Sequence, residues 1–124
     1  ASVVGVLAQR LVRKLCEDCK SALPQAQAQA AAASLGMKLT EAQVLYRSVG
    51  CPSCRGTGYR GRLAIHELLV FTEDMKRRVL ESGSTIGGES GVYAAGNLLQ
   101  DGATKVFLGL TTAEEVLRVA RQND

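Results

Sequence analysis

Cys51-Pro52-Ser53-Cys54-Arg55-Gly56-Thr57-Gly58 organises the chain, because a second pair at the same spacing, Cys16-Glu17-Asp18-Cys19, precedes it and the two pairs hold all four cysteines present. A two-residue gap lets a tight turn aim both sulfurs at one point. Two such turns brought together supply the four thiolates that Zn²⁺ prefers, in a closed tetrahedral shell with no position left for water. Cys16, Cys19, Cys51 and Cys54 are therefore the expected ligands of one structural zinc. Such a shell is a poor basis for a metal-dependent hydrolase, which needs an open coordination position. Gly56 and Gly58 fit a zinc knuckle, in which glycines tolerate positive φ and free backbone amides to point at sulfur. The metal is expected to be a folding requirement for residues 16–60, since structural zinc contributes on the order of 10 kcal/mol of apparent binding energy.

Two other readings of the cysteines lack context. A disulfide framework needs an oxidising compartment. Nothing near the N-terminus resembles a signal peptide, because the apolar run from Val3 to Ala8 is followed rather than preceded by Arg10, Arg13 and Lys14. A thioredoxin-like redox pair would open a helix after a buried strand, whereas Cys51 lies between Gly50 and Pro52.

The 124 residues amount to one domain's worth of chain with no membrane-spanning apolar run, which points to a soluble cytoplasmic protein. Trp is absent and aromatics make up 4%, so aliphatic side chains must fill the core and stacking platforms for single-stranded nucleic acid are scarce. Charge is uneven. Residues 1–66 carry nine Lys/Arg against three Asp/Glu, a balance of +6, and residues 67–124 carry six against nine, a balance of −3. Dispersed cations of this kind read as a solvated face that also offsets the negative charge of a tetrathiolate zinc, rather than as a nucleic-acid footprint.

Outward from the cysteines, Val3 to Val12 reads as a helix passing into a short strand that ends at Cys16. Ser21 to Ser34 reads as an Ala/Gln-rich helix with Pro24 in its first turn and Gly36 past its end. A second short helix is expected at Thr40, through the capping-box pattern Thr40-x-x-Gln43. Leu45 to Val49 reads as a strand delivering Cys51. From Tyr59 to Val70 the pattern is a strand broken early by Gly61, with Leu63, Ile65, Glu67 and Leu69 on one face and Arg62, Ala64, His66 and Leu68 on the other. Glu67 in an aliphatic row is expected to be buried and paired with Arg10 or Arg13. His66, the only histidine, is a strand side chain with no nucleophile or acid beside it, so no catalytic residue is assigned.

Beyond Val70 the chain reads as helical. One helix starts at Thr72, residues 84–91 form a glycine-containing loop, and one or two helices around Leu98 to Leu108 are interrupted near Gly102. A terminal helix opens by a capping box at Thr111-Thr112-Ala113-Glu114-Glu115, with Val116, Leu117, Val119 and Ala120 as its apolar stripe. The expected class is α+β.

Five ordered motifs carry a resemblance: Gln9-Arg10-Leu11-Val12-Arg13-Lys14-Leu15-Cys16, Val49-Gly50-Cys51-Pro52-Ser53-Cys54, Gly58-Tyr59-Arg60-Gly61-Arg62, Ile65-His66-Glu67-Leu68-Leu69 and Thr111-Thr112-Ala113-Glu114-Glu115-Val116-Leu117-Arg118-Val119. Together they resemble the C-terminal region of the type II secretion traffic ATPase family, also shared by type IV pilus-assembly ATPases. The last motif is more similar to the secretion branch. Residues 84–97 depart from the family pattern, being glycine-rich where relatives carry a regular helix.

The resemblance implies a cytoplasmic homo-hexamer of RecA-like fold, peripheral to the inner membrane. Its hydrolysis of ATP with Mg²⁺ would power export, through an inner-membrane platform and cytoplasmic-domain partner proteins. It implies no nucleic acid and no membrane span of its own. The phosphate-binding Gly-x-x-x-x-Gly-Lys-[Ser/Thr] loop on which that chemistry depends has no counterpart here, since no lysine follows a glycine. On this reading residues 1–15 end the nucleotide-binding core, 16–60 form the tetracysteine zinc module with its helical insertion, and 61–124 form a strand plus a C-terminal helical subdomain. Arg10, Arg13 and Arg62 are the candidates for contact with nucleotide or a neighbouring subunit. ATP and Mg would belong to the full-length protein alone. The competing class is a free-standing zinc-ribbon module that binds nucleic acid or protein.

Overall fold

The computed structural model describes residues 3–72 and 93–120. Along the chain it places strand β1 (Val3–Leu15), strand β2 (Ser21–Ala22), helix α1 (Gln25–Ser34), strand β3 (Tyr46–Arg47), a 3₁₀ turn at Pro52–Cys54, strand β4 (Tyr59–Thr72), strand β5 (Tyr93–Gly96), helix α2 (Leu98–Phe107) and helix α3 (Ala113–Ala120). The described residues thus mix three helices with a three-stranded sheet ordered β1-β4-β5 and a two-stranded sheet ordered β2-β3. The helix expected at Thr72 and the loop at 84–91 lie outside the described residues.

Where a helix entering a strand was expected, residues 3–15 form one strand. Ala8, Arg10 and Val12 alternate inward against the more exposed Leu7, Gln9 and Leu11, the period of a pleated strand. The antiparallel ladder to β4 runs from Val3↔Thr72 to Leu15↔Tyr59. That pairing, with the β-branched valines, overrides local helical propensity.

Gly61 does not end β4; it bulges it. Arg13 pairs with Arg62 and Leu15 with Tyr59, so Arg60 and Gly61 stand against Lys14 alone. The extra residue is accommodated at Gly61, whose φ of +85° is a left-handed conformation that a side chain would strain. The bulge lies at the end of the sheet that feeds Cys16.

Helix α1 ends as the sequence implies but begins after Pro24 rather than at Ser21, because Ser21 and Ala22 are taken into β2 by pairing with Arg47 and Tyr46. Gly36 takes φ +74°, its N–H donates to Ala33 O at 2.9 Å and that of Met37 to Ala32 O at 2.9 Å, the paired bonds of a Schellman cap. Its inner face of small residues, Ala28 and Ala32, shares one core with Leu35, Leu45, Ala103, Val106, Ala113 and Val116. Around Thr40 a turn replaces the expected short helix. Gln43 Oε1 does accept from the Thr40 N–H at 2.9 Å, which is the reciprocal half of a capping box. The strand expected at 45–49 contracts to the two residues of β3, paired with Ser21 and Ala22.

Gly102 does not interrupt α2 either. A Cβ at this position would stand 2.4 Å from Val116 Cγ1, so the missing side chain is what lets α2 and α3 approach. A second core cluster, Val12, Ile65, Leu98 and Val119, joins these helices to the sheet. Where β5 stops short of His66, Asp101 Oδ2 accepts the His66 backbone N–H at 2.8 Å. The carboxylate thereby satisfies a strand-edge donor that a neighbouring strand would otherwise take.

Candidate metal centre

The four cysteines converge. Cys16 and Cys19 sit on the turn leaving β1, and Cys51 and Cys54 on the 3₁₀ turn entering β4. All four Sγ atoms lie within 4.8 Å of one another, and none is disulfide-bonded. Cys16–Cys51, Cys19–Cys54 and Cys51–Cys54 each have Sγ···Sγ of 3.8 Å. A tetrahedron with Zn–S bonds of about 2.3 Å has edges of about 3.8 Å, so the sulfur cage has the dimensions of a zinc shell and is far wider than a disulfide of about 2.05 Å.

Backbone amides point into the cage. The N–H groups of Gly50 and Cys51 donate to Cys19 Sγ and Cys54 Sγ, both at 3.3 Å, and Gly58 N–H donates to Cys54 Sγ at 3.1 Å. Burial opposes ionisation of Cys54, but the amides of Cys51 and Gly58 outweigh it and bring the thiol down to about 6. For Cys19 the Gly50 amide pulls downward, while desolvation and the other three thiols together push it up to about 11. Backbone amides thus favour the thiolate form while crowding of the thiols opposes it, and a bound cation would tip that balance toward thiolate. His66 is not part of this group; its Nδ1 faces Asp101 Oδ2 at 3.6 Å, and Lys105 Nζ holds Asp101 Oδ1 at 2.7 Å. Burial works against the Asp101 carboxylate, yet Lys105 and the His66 amide keep it below the usual carboxylate range.

A family model described as type II/IV secretion system protein matches residues 1–118. The chain belongs to that family. It is 41% identical to type II secretion system protein E of Pectobacterium carotovorum subsp. carotovorum over 98% of this chain and 24% of that protein. To type II secretion system ATPase E of Vibrio cholerae serotype O1 it is 39% identical over 99% of this chain and 24% of the relative. To type IV pilus assembly ATPase PilB of Thermus thermophilus it is 40% identical over 94% of this chain and 13% of the relative. The chain therefore spans about a quarter, or less, of the length of these relatives.

In this family member the three arginines expected at a nucleotide or subunit contact are not equivalent. Arg13 and Arg62 face each other across the ladder, and Arg10 lies opposite Ile65. Arg13 is committed within the chain: its Nη2 bonds Glu115 Oε2 at 2.8 Å, and its Cζ sits 4.2 Å from the centre of the Tyr59 ring. Arg10 Nη1 donates to Gln9 O at 2.8 Å. Arg62 is exposed and lines a pocket of about 450 Å³ with Lys14, Arg60, Glu17 and Asp18, next to the bulge. Among the described residues no helix is long and apolar enough to cross a membrane.

The buried, arginine-paired glutamate expected in this chain exists, at a different position. Glu67 is half-buried and forms no ion pair among the described residues: it stands opposite Ala8 in the ladder, while Arg13 stands opposite Arg62, well along the strand. Glu115 is 2% exposed and is also bonded by Arg118 Nη2 at 3.0 Å. Burial alone would raise its pKa, but Arg13, Arg118 and the Arg13 amide draw it down to about 2. Sequence reading assigned Glu115 to a capping box. Its N–H does accept that role, donating to Thr112 Oγ1 at 3.3 Å, while the carboxylate goes across to β1. The signal that marks it is Val119: residues four apart share a helix face, and Val119 is core.

Proposed function

We propose that the chain is the C-terminal part of a cytoplasmic, hexameric secretion ATPase that powers protein export by the type II system, in which residues 16–60 bind one structural zinc through Cys16, Cys19, Cys51 and Cys54. The observation that carries this is the family match over residues 1–118, joined to a four-sulfur cage of zinc dimensions. In this reading residues 1–15 finish a RecA-like core, the zinc module and residues 61–124 form its outer part, and the module mediates subunit or partner contact. Arg62, exposed at the bulge, is placed best of the three arginines to meet nucleotide or a neighbouring subunit. ATP and Mg²⁺ bind the full-length protein, and the inner-membrane platform and cytoplasmic-domain proteins hold it at the membrane.

A pilus-assembly role is the second reading, favoured by the 40% identity to the Thermus pilus ATPase. Complementation separates them: the full-length gene should restore export to a secretion-ATPase deletion strain and not piliation to a pilus-ATPase deletion strain, and the reverse result supports the pilus branch. The biochemical test is ATP turnover. The full-length protein should hydrolyse ATP, while residues 1–124 alone, without a phosphate-binding loop, should neither hydrolyse it nor bind it at micromolar concentration. Turnover by these 124 residues above contaminant level would overturn the assignment.

A further inference from the structure

The two chain segments that deliver the cysteines are fixed by a part of the molecule that contributes no ligand. Among the described residues β1 is an edge strand, and its last residues lose regular pairing at the bulge opposite Lys14. There the connection between α2 and α3 takes over. Glu115 Oε1 accepts the Arg13 N–H at 2.9 Å, Thr111 Oγ1 donates to Arg13 O at 2.8 Å, and Leu15 N–H donates to Leu110 O at 2.8 Å. Cys16 follows directly, its own N–H donating to Gly58 O at 3.0 Å. On the second segment, Gly58 N–H donates to Cys54 Sγ at 3.1 Å. The next residue, Tyr59, bonds Thr112 Oγ1 through its hydroxyl at 2.8 Å and lies under the Arg13 guanidinium. Lys20, one residue past Cys19, reaches Gly109 O at 2.9 Å.

We infer that Glu115 is a positioning residue for the metal centre: it holds the bulged end of β1, and through it Cys16, in the ligating position from about 100 residues away in sequence. This rests on the zinc reading above. Thr111, Thr112 and Glu115 are buried to 0%, 1% and 2% exposure, so these bonds are shielded from competing water and define one arrangement of the strand end. Groups bonded directly to metal ligands typically change metal affinity 10–100-fold when lost; Glu115 acts one step further out, through the Arg13 amide, so the low end of that range is expected. Because linkage is reciprocal, metal binding must tighten the clamp by the same factor that the clamp tightens metal binding.

The test is zinc competition against a chromophoric chelator with the parent protein, Glu115→Gln and Leu98→Ala. Leu98 packs with Val12, Ile65 and Val119 in the core cluster on the sheet, so its truncation lowers stability while leaving the hydrogen bonds from Leu110, Thr111 and Glu115 to the strand end in place. Glu115→Gln should weaken zinc binding by roughly tenfold, with Leu98→Ala much nearer the parent. Equal affinities for the parent and Glu115→Gln, or equal losses in both variants, would overturn the inference. No zinc binding by the parent would instead overturn the metal reading, and the inference with it. If Glu115→Gln does not fold, hydrogen exchange of the parent decides: removing zinc should speed exchange of the Arg13, Leu15 and Glu115 amides, and unchanged exchange there refutes the coupling.

Discussion

The sulfur cage and the Arg13–Glu115 clamp meet at residues 13–16, yet they are built from opposite kinds of information. The cage is assembled from two local spacings, each closed by a tight turn, so its ligands can be named before any fold is known. The clamp joins residues 102 positions apart and becomes visible only when α3 is laid against the end of β1. In the zinc reading proposed above the cage holds by coordination chemistry; the clamp holds by a buried carboxylate satisfied from three directions. Soft ligands in short motifs thus announce themselves, while a buried ion pair is specified jointly by two distant surfaces.

Breaking the cage should have the largest effect. Cys51→Ser together with Cys54→Ser removes half of the ligand set and should abolish order across residues 16–60, on the scale of the ~10 kcal/mol that structural zinc contributes. The check is the NMR amide spectrum: collapse of the 16–60 resonances is expected, with the β1–β4 ladder retained in any molecules that fold.

Breaking the clamp comes next. Glu115→Ala strips acceptors from the Arg13 amide and two guanidinium groups, and a denaturant melt should show a loss of about 2–4 kcal/mol. Both arginines are about half exposed, at 51% and 48% of their side chains, so water recovers them and the cost stays below that of stranding a buried charge. The clamp also predicts a pH dependence. The folded pKa of Glu115 is depressed from 4.5 to about 2, so its stabilisation is fully present above about pH 4.5 and is lost as pH falls from there toward 2. Glu115→Gln should flatten that part of the stability profile.

Gly102→Ala sharpens the comparison on the helix side. A methyl group 2.4 Å from Val116 Cγ1 must push α2 and α3 apart, costing about 1–3 kcal/mol by overpacking, offset by up to about 1 kcal/mol of improved helix propensity. A net loss of about 1 kcal/mol in a thermal or denaturant melt is expected, with zinc stoichiometry unchanged. The smallest effect belongs to Glu67→Ala. Strand alternation alone assigns that change a cost of roughly 3–5 kcal/mol, the cost of breaking a buried pair. Half-buried and without an ion pair among the described residues, Glu67 should cost no more than about 1 kcal/mol in the same melt.

The same division runs through what could be read from the sequence. The β4 alternation, the α1 end at Gly36, the α3 start at Thr112 and the convergence of the four cysteines were legible, because each is decided within a few residues, whereas the α1 start was set too early at Ser21, which pairs with Arg47 across the chain. β1 was misread because an apolar run of Val3 to Val12 has no decisive period until β4 lies beside it. Gly61 and Gly102 were read as interruptions because a glycine announces conformational freedom; whether it makes a bulge or a close helix contact depends on what stands opposite, Lys14 in one case and Val116 in the other. The demand for an arginine-paired buried acid was legible, but its address was not, since Glu67 and Glu115 differ in their tertiary neighbours rather than in their local sequence.

The most direct test of the account is the metal content of the purified protein, measured by elemental analysis alongside a four-thiol titration. One zinc per chain is expected, with all four thiols protected from alkylation until a chelator is added and exposed afterwards. Metal-free protein with the same folded amide spectrum over residues 16–60 would contradict it.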